Sequence, residues 1–219
     1  MKSLILKDLY NIGHNAKSMF FMLLVFAFIF VPSSGPNTYI IISGILCSMM
    51  VITTFSFDDN SKWIKYAMVT PVTKKDLVAG KFIVLLIFSA IGAISGLVIG
   101  FIGGIIIHKV NYSNLSDILT ALFVTMVSLV IAEIFGSVSI PLLFQFGAEK
   151  ARILSIISFV VPAVICLGVY GILTFFGVSF TDQRIFILLC CSPVIALVWN
   201  FMMYKISYMI FSKKDILYY

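Results

Sequence analysis

Apolar residues run along this chain in long blocks separated by short polar stretches. Six blocks can be drawn, at about 17–33, 38–57, 82–107, 118–144, 153–177 and 185–206. About 20 apolar residues at 1.5 Å each cross ~30 Å of hydrocarbon, so each block predicts a membrane-spanning helix. The connections between them leave no room for a separate soluble domain of ~100 residues. The pattern therefore predicts an all-α membrane protein, one domain over 1–219 with six transmembrane helices.

The polar stretches carry their own periodicity. Within 1–16, Ile5, Leu9, Ile12 and Ala16 share one helical face, and Ser3, Lys7, Asn11 and His14 share the opposite one. That spacing predicts an amphipathic helix lying in the membrane interface; a cytosolic extension of the first span is the plainer alternative. The longest polar interruption runs from Phe57 to Phe82 and holds five of the fifteen basic residues. In its loop, 58–73, Asp58, Asp59, Asn60 and Ser61 are helix N-cap residue types. The following turn places Trp63, Ile64, Ala67 and Met68 on one side and Lys62 and Lys65 on another, until Pro71 ends it. Thr73 and Asp76 have the spacing of a capping box, opening a helix that continues through Lys81 to residue 107. Lys74 and Lys75 oppose the dipole in its first turn, by ~0.3–1 kcal/mol each, so lipid phosphates or a partner's carboxylates should compensate them.

Two features stand out inside the apolar blocks. Gly92, Gly96, Gly100 and Gly104 repeat every fourth residue and form a flat ridge for close helix packing, either within the chain or against a second copy. Glu133 is the one carboxylate deep in a span, here the fourth, which extends to 146. An intramembrane carboxylate marks a candidate cavity group. The plainer reading is a glutamate satisfied by a neighbouring helix or holding its proton. Gly136 and Pro141 should loosen the helix after it, and Pro162 should break the fifth span.

Composition agrees with this picture. The chain is 61% hydrophobic and only 11% charged, with a mean hydropathy of +1.13, which excludes an ordinary soluble domain. Its net charge of +6 is distributed by topology. With both termini in the cytoplasm, thirteen of the fifteen Lys and Arg lie on that side, and only Lys109 and Arg184 lie outside. Such charge suits anionic inner-leaflet lipid and gives no face for nucleic acid. Cys47, Cys166, Cys190 and Cys191 all fall within apolar blocks as small hydrophobes. No GxxxxGK[ST] phosphate loop and no HExxH occurs, and the two histidines fall on opposite sides of the membrane, so no enzyme, cofactor or metal site is expected in this chain.

Two stretches carry a family resemblance. Tyr66-Ala-Met-Val-Thr-Pro-Val-Thr-Lys-Lys-Asp-Leu-Val-Ala-Gly-Lys81 resembles the cytoplasmic loop of small ABC-2 type permeases, with Thr70 and Lys74 where Leu and Arg are usual. Ile140-Pro-Leu-Leu-Phe-Gln-Phe-Gly-Ala-Glu-Lys-Ala-Arg152 is similar to that family's connection between helices four and five. The resemblance covers essentially the whole chain. It implies an exporter subunit that pairs with a second permease, as homodimer or heterodimer, and with two cytosolic ABC ATPases, which hold the ATP and Mg. It further implies that a coupling helix at about 60–70 docks on the ATPase through Trp63, Ile64, Ala67 and Met68, flanked by Lys62 and Lys65. Within the family, permeases exporting amphipathic peptides such as phenol-soluble modulins from Gram-positive bacteria are the nearest likeness. The competing expectations are an immunity or channel-like protein working without an ATPase, and an ion-coupled carrier. The carrier would need more intramembrane ionisable groups than Glu133, and an inverted repeat.

Overall fold

The computed structural model describes residues 2–13, 15–67, 69–108, 115–175 and 182–213, and every regular element among them is helical. In chain order these are α1 (Lys2–Gly13), α2 (Ala16–Ser34), α3 (Pro36–Ser48), α4 (Met50–Asn60), α5 (Trp63–Ala67), α6 (Lys74–Ile106), α7 (Leu115–Phe146), α8 (Ala151–Phe175) and α9 (Asp182–Lys213). A single 3₁₀ turn, Ala148–Lys150, joins α7 to α8.

Five stretches are long and apolar enough to cross a membrane: α2, α3 with α4, α6, and most of α7 and α9. The expected span at 153–177 falls on α8, where the apolar helix among the described residues is the shorter Ile153–Ile165. Residues 176–177 of that span lie outside the described residues.

Pro162 does less than its position predicts. Pro32, Pro141 and Pro162 each lie inside a helix that continues past them, as does Pro193. The expected break at Pro162 is therefore corrected. In hydrocarbon a helix that unwinds strands several backbone groups without water, whereas one that tolerates a proline gives up a single bond. The first two spans are joined at Gly35, whose φ of +90° suits a residue without Cβ, and Pro36 then takes the first position of α3. A milder interruption separates α3 from α4 at Met49, where the Ser48 hydroxyl donates back to the Ile45 carbonyl at 2.8 Å.

The closest packing is between α6 and α3 of the same chain. A Cβ added to Gly92 would stand 2.6 Å from Cys47 Cβ and 2.8 Å from the Ser43 carbonyl, and one on Gly96 would meet the Ser43 hydroxyl. Gly100 faces Pro36, Tyr39 and Ile40, and Gly104 is buried. Across this seam Ser43 Oγ donates to the Gly92 carbonyl at 2.9 Å. α7 closes on the other side of α3, with Ser128 Oγ donating to the Ile40 carbonyl at 2.8 Å beside Gly44. Interhelical contact in a membrane rests on such small-residue packing and hydrogen bonds, because lipid tails are as apolar as leucine.

Candidate functional site

Successive reversals of the chain bring α1, the end of α4, α5, the start of α6, the 3₁₀ turn and the end of α9 together at one end of the bundle. That end is the basic one. Thr73 caps α6 as the spacing predicted: its Oγ1 accepts from Asp76 N at 3.2 Å, and its own N–H donates to Asp76 Oδ2 at 3.3 Å. Lys74 and Lys75 find their compensation within the chain. Lys74 Nζ donates to the Ser212 carbonyl at 3.1 Å, in the last turn of α9 where the dipole is negative, and Lys75 lies 5.6 Å from the Tyr208 ring.

The end of α4 organises this region. Asp58, Asp59 and Asn60 form its last turn and do not cap the helix that follows; the expectation that they would is corrected. Both aspartates point elsewhere. Asp59 Oδ2 accepts from Ala148 N at 2.6 Å, holding the connection between α7 and α8 where Gly147 turns with φ +75°. Asp58 joins Lys7, Asp8 and Lys81. Lys81 Nζ donates to Asp8 Oδ2 at 2.9 Å, Asp58 Oδ2 at 2.6 Å and Thr54 Oγ1 at 3.0 Å. Lys7 Nζ bonds Asp58 Oδ1 and lies 3.1 Å from Asp8 Oδ1, an ion pair without hydrogen-bond alignment. Buried charge of this kind persists only when every charge is matched.

α5 is a single turn of helix, entered through Lys62 at φ +52°. Ile64 and Ala67 are buried, and Ile64 belongs to the same core cluster as Ile12, Phe55 and Leu143. Trp63 is half-buried, with Lys7 Nζ 4.6 Å from its ring. Of the face expected to meet a partner, Ile64 and Ala67 turn inward in this chain, Ile64 packing into the core cluster. The surface left open is Lys62, Lys65, Tyr66 at 66% exposure and Val69 at 89%. Met68 lies outside the described residues.

Glu133 is buried between α6, α7 and α9. Its Oε1 accepts from Ser89 Oγ and its Oε2 from Asn200 Nδ2 at 3.1 Å. Asn200 Oδ1 has no partner among the described residues. Two clefts lie elsewhere and do not reach the carboxylate. One is a serine-lined crevice at Ser48, Ser139, Ser155 and Ser158; the other is an apolar cleft between α2 and α6. Among the described residues no group of three or more His, Cys, Asp or Glu is gathered as a metal ion would require.

Comparison with family models matches residues 3–212 to the ABC-2 family transporter protein. The chain belongs to the ABC-2 transporter family. Curated proteins and solved structures give no match. It is thus a transporter's multi-pass membrane component, a permease and not itself an ATPase, and the family implies an ATPase partner.

The permease's sequence pointed to α5 and to Glu133, but not to what surrounds them. Asp8, Asp58 and Lys81 are 73 residues apart at most and follow no local spacing rule, so nothing short of the packed helices pairs them. Asn200, one of the few amides in an apolar block, was the one available signal for a partner to Glu133.

Proposed function

We propose that this permease is half of the membrane path of an ATP-driven exporter that carries amphipathic or hydrophobic peptides out of a bacterial cell. A second permease, identical or related, completes the path. Two cytosolic ATPases drive it and hold the ATP and Mg. The carrying observation is the division of α5 and its flanking turns into an inner face rooted in the core, Ile64 and Ala67, and an outer surface left open, Lys62, Lys65, Tyr66 and Val69. A partner that grips the outer face cannot move without moving the core residues behind it. An exposed aromatic and an aliphatic flanked by lysines suit an apolar groove rimmed by carboxylates. The thirteen basic residues assigned to this side support its placement in the cytoplasm.

The peptide cargo is supported by surface chemistry. Phe20, Phe21 and Phe28 of α2 are exposed, and the spans offer few charges, which favours amphipathic cargo over a sugar or an ion. The test is to purify the permease with its ATPase and compare it with a Tyr66→Ala, Val69→Asp variant. Both side chains are exposed, so the variant should insert and melt as the native permease does while ATPase recovery falls at least tenfold. Full recovery of the ATPase overturns the docking assignment. In liposomes, amphipathic helical peptides should accelerate ATP hydrolysis by the complex; indifference to them overturns the cargo assignment.

A further inference from the structure

The four charges at the basic end form a closed, alternating ring. Lys7 and Asp8 come from α1, Asp58 from the end of α4, and Lys81 from α6. Each carboxylate gives one oxygen to each lysine: Asp8 Oδ1 and Asp58 Oδ1 face Lys7, and Asp8 Oδ2 and Asp58 Oδ2 face Lys81. Asp8, Asp58 and Lys81 are 3%, 5% and 7% exposed, and Thr54 accepts the remaining bond from Lys81.

A ring behaves differently from a single ion pair. Shifting α1, α4 or α6 alone stretches at least two of the four pairs at once. It also leaves charge unmatched where water is scarce, which is strongly unfavourable. Moving the three helices together breaks none. The ring also touches both connections at this end. The Trp63 ring of α5 lies under Lys7, and Asp59, next in chain to Asp58, holds Ala148 N.

We propose that this ring clamps α1, α4 and α6 into one rigid body, so that α1 moves with the α5 connection through the ATP cycle instead of drifting on the membrane surface. Lys7, Asp8, Asp58 and Lys81 are positioning residues in this scheme; none meets cargo or nucleotide. The cycle itself rests on the ATPase docking proposed above, whereas the clamp is a property of the permease alone.

The test places spin labels at Tyr10 of α1 and Ile83 of α6, both exposed. The four native cysteines are replaced, and the permease–ATPase complex is held in lipid nanodiscs. The expected result is one narrow Tyr10–Ile83 distance, the same without nucleotide and with a non-hydrolysable ATP analogue and Mg. Asp58→Asn should broaden or split it. Lys7→Met should do the same, and as the change to the most exposed ring member it is the variant least prone to misfold.

A charge swap separates a ring from a pair. Exchanging Asp58→Lys with Lys81→Asp keeps their mutual attraction but sets the new lysine against Lys7 and the new carboxylate against Asp8. It should therefore fail to restore the narrow distance. Inverting all four residues restores the alternation and should succeed. A native distance that shifts with nucleotide overturns the proposal, as does a narrow distance in Asp58→Asn and Lys7→Met, or rescue by the two-residue swap. Failure of the native permease to recover an ATPase overturns the docking reading only. The same labels in the permease alone still read the clamp, because loss of Asp58 or Lys7 must loosen α1 with or without a partner.

Discussion

Lys81 lies where a sequence reading puts an ordinary membrane-surface lysine, yet it is 7% exposed and donates to three side chains from two other helices. Replacing it with methionine keeps the length and leaves Asp8 and Asp58 with Lys7 alone. Removing one member of a buried ion pair costs roughly 3–5 kcal/mol, so Lys81→Met should lower unfolding stability by about that much in a denaturant titration. Lys75→Met, whose side chain is exposed, should shift it by under about 0.5 kcal/mol. Glu133 makes a second residue-scale test. In Glu133→Gln the new amide nitrogen can donate to Ser89 Oγ, whose hydroxyl then donates to the Leu86 carbonyl, while the amide oxygen keeps the bond from Asn200 Nδ2. That variant should stay within about 0.5 kcal/mol of the native stability, the range of a change that strands no polar group. Glu133→Leu removes the interhelical bonds of Ser89 and Asn200, leaving each with only a carbonyl of its own helix, and should lose about 1–2 kcal/mol, the scale of interhelical hydrogen bonds in membranes. Glu133 itself was legible as the lone carboxylate in an apolar block; its two donors, 44 and 67 residues away, were not.

At the scale of elements, the glycine repeat on α6 was visible in the sequence as a ridge, and the structure shows which surface it meets. Gly92 is pressed on α3 so closely that Gly92→Ala must push Cys47 or the Ser43 backbone aside. The expected loss is about 1–3 kcal/mol, the usual scale of overpacking, measured by the same titration. Gly168 on α8 has open space where a Cβ would stand, with nothing within 4 Å, so Gly168→Ala should be neutral or slightly stabilising. α5 teaches the opposite lesson. Its helical period correctly grouped Ile64 with Ala67, but period cannot say whether an apolar face meets a partner or the chain's own core. Here the core underneath, including Ile12 of α1, claims it. The Pro162 reading failed for a related reason: propensities learned in water overstate a proline's power to end a helix that has no water to turn to.

At the scale of the whole molecule, the ring, the Asp59–Ala148 bond and the Lys74–Ser212 bond fasten five segments at one end, α1, α4, α6, the 3₁₀ turn and α9. At the far end α2 and α6 line an apolar cleft at Phe28 and Ile102. The orientation proposed for these ends is open to a direct check. In a cysteine-free background, Tyr66→Cys should resist a membrane-impermeant maleimide in intact cells and react once they are permeabilised. Ser33→Cys, exposed beside the α2–α3 turn, should react in intact cells. The reverse pattern would place α5 outside and end the exporter reading.

The sequence alone determined that this chain dissolves in lipid as a helical bundle, where most of its spans lie, and that its charge is gathered at one end. Those properties are sums over many residues, and hydrophobic transfer and loop charge act on each residue independently of distant partners. The tertiary structure alone decided which face of α5 is open, which carbonyl accepts from Lys74, and that Lys7, Asp8, Asp58 and Lys81 close into a ring. Those depend on charges and carbonyls dozens of residues apart meeting at hydrogen-bond distance, and no local pattern encodes such a meeting.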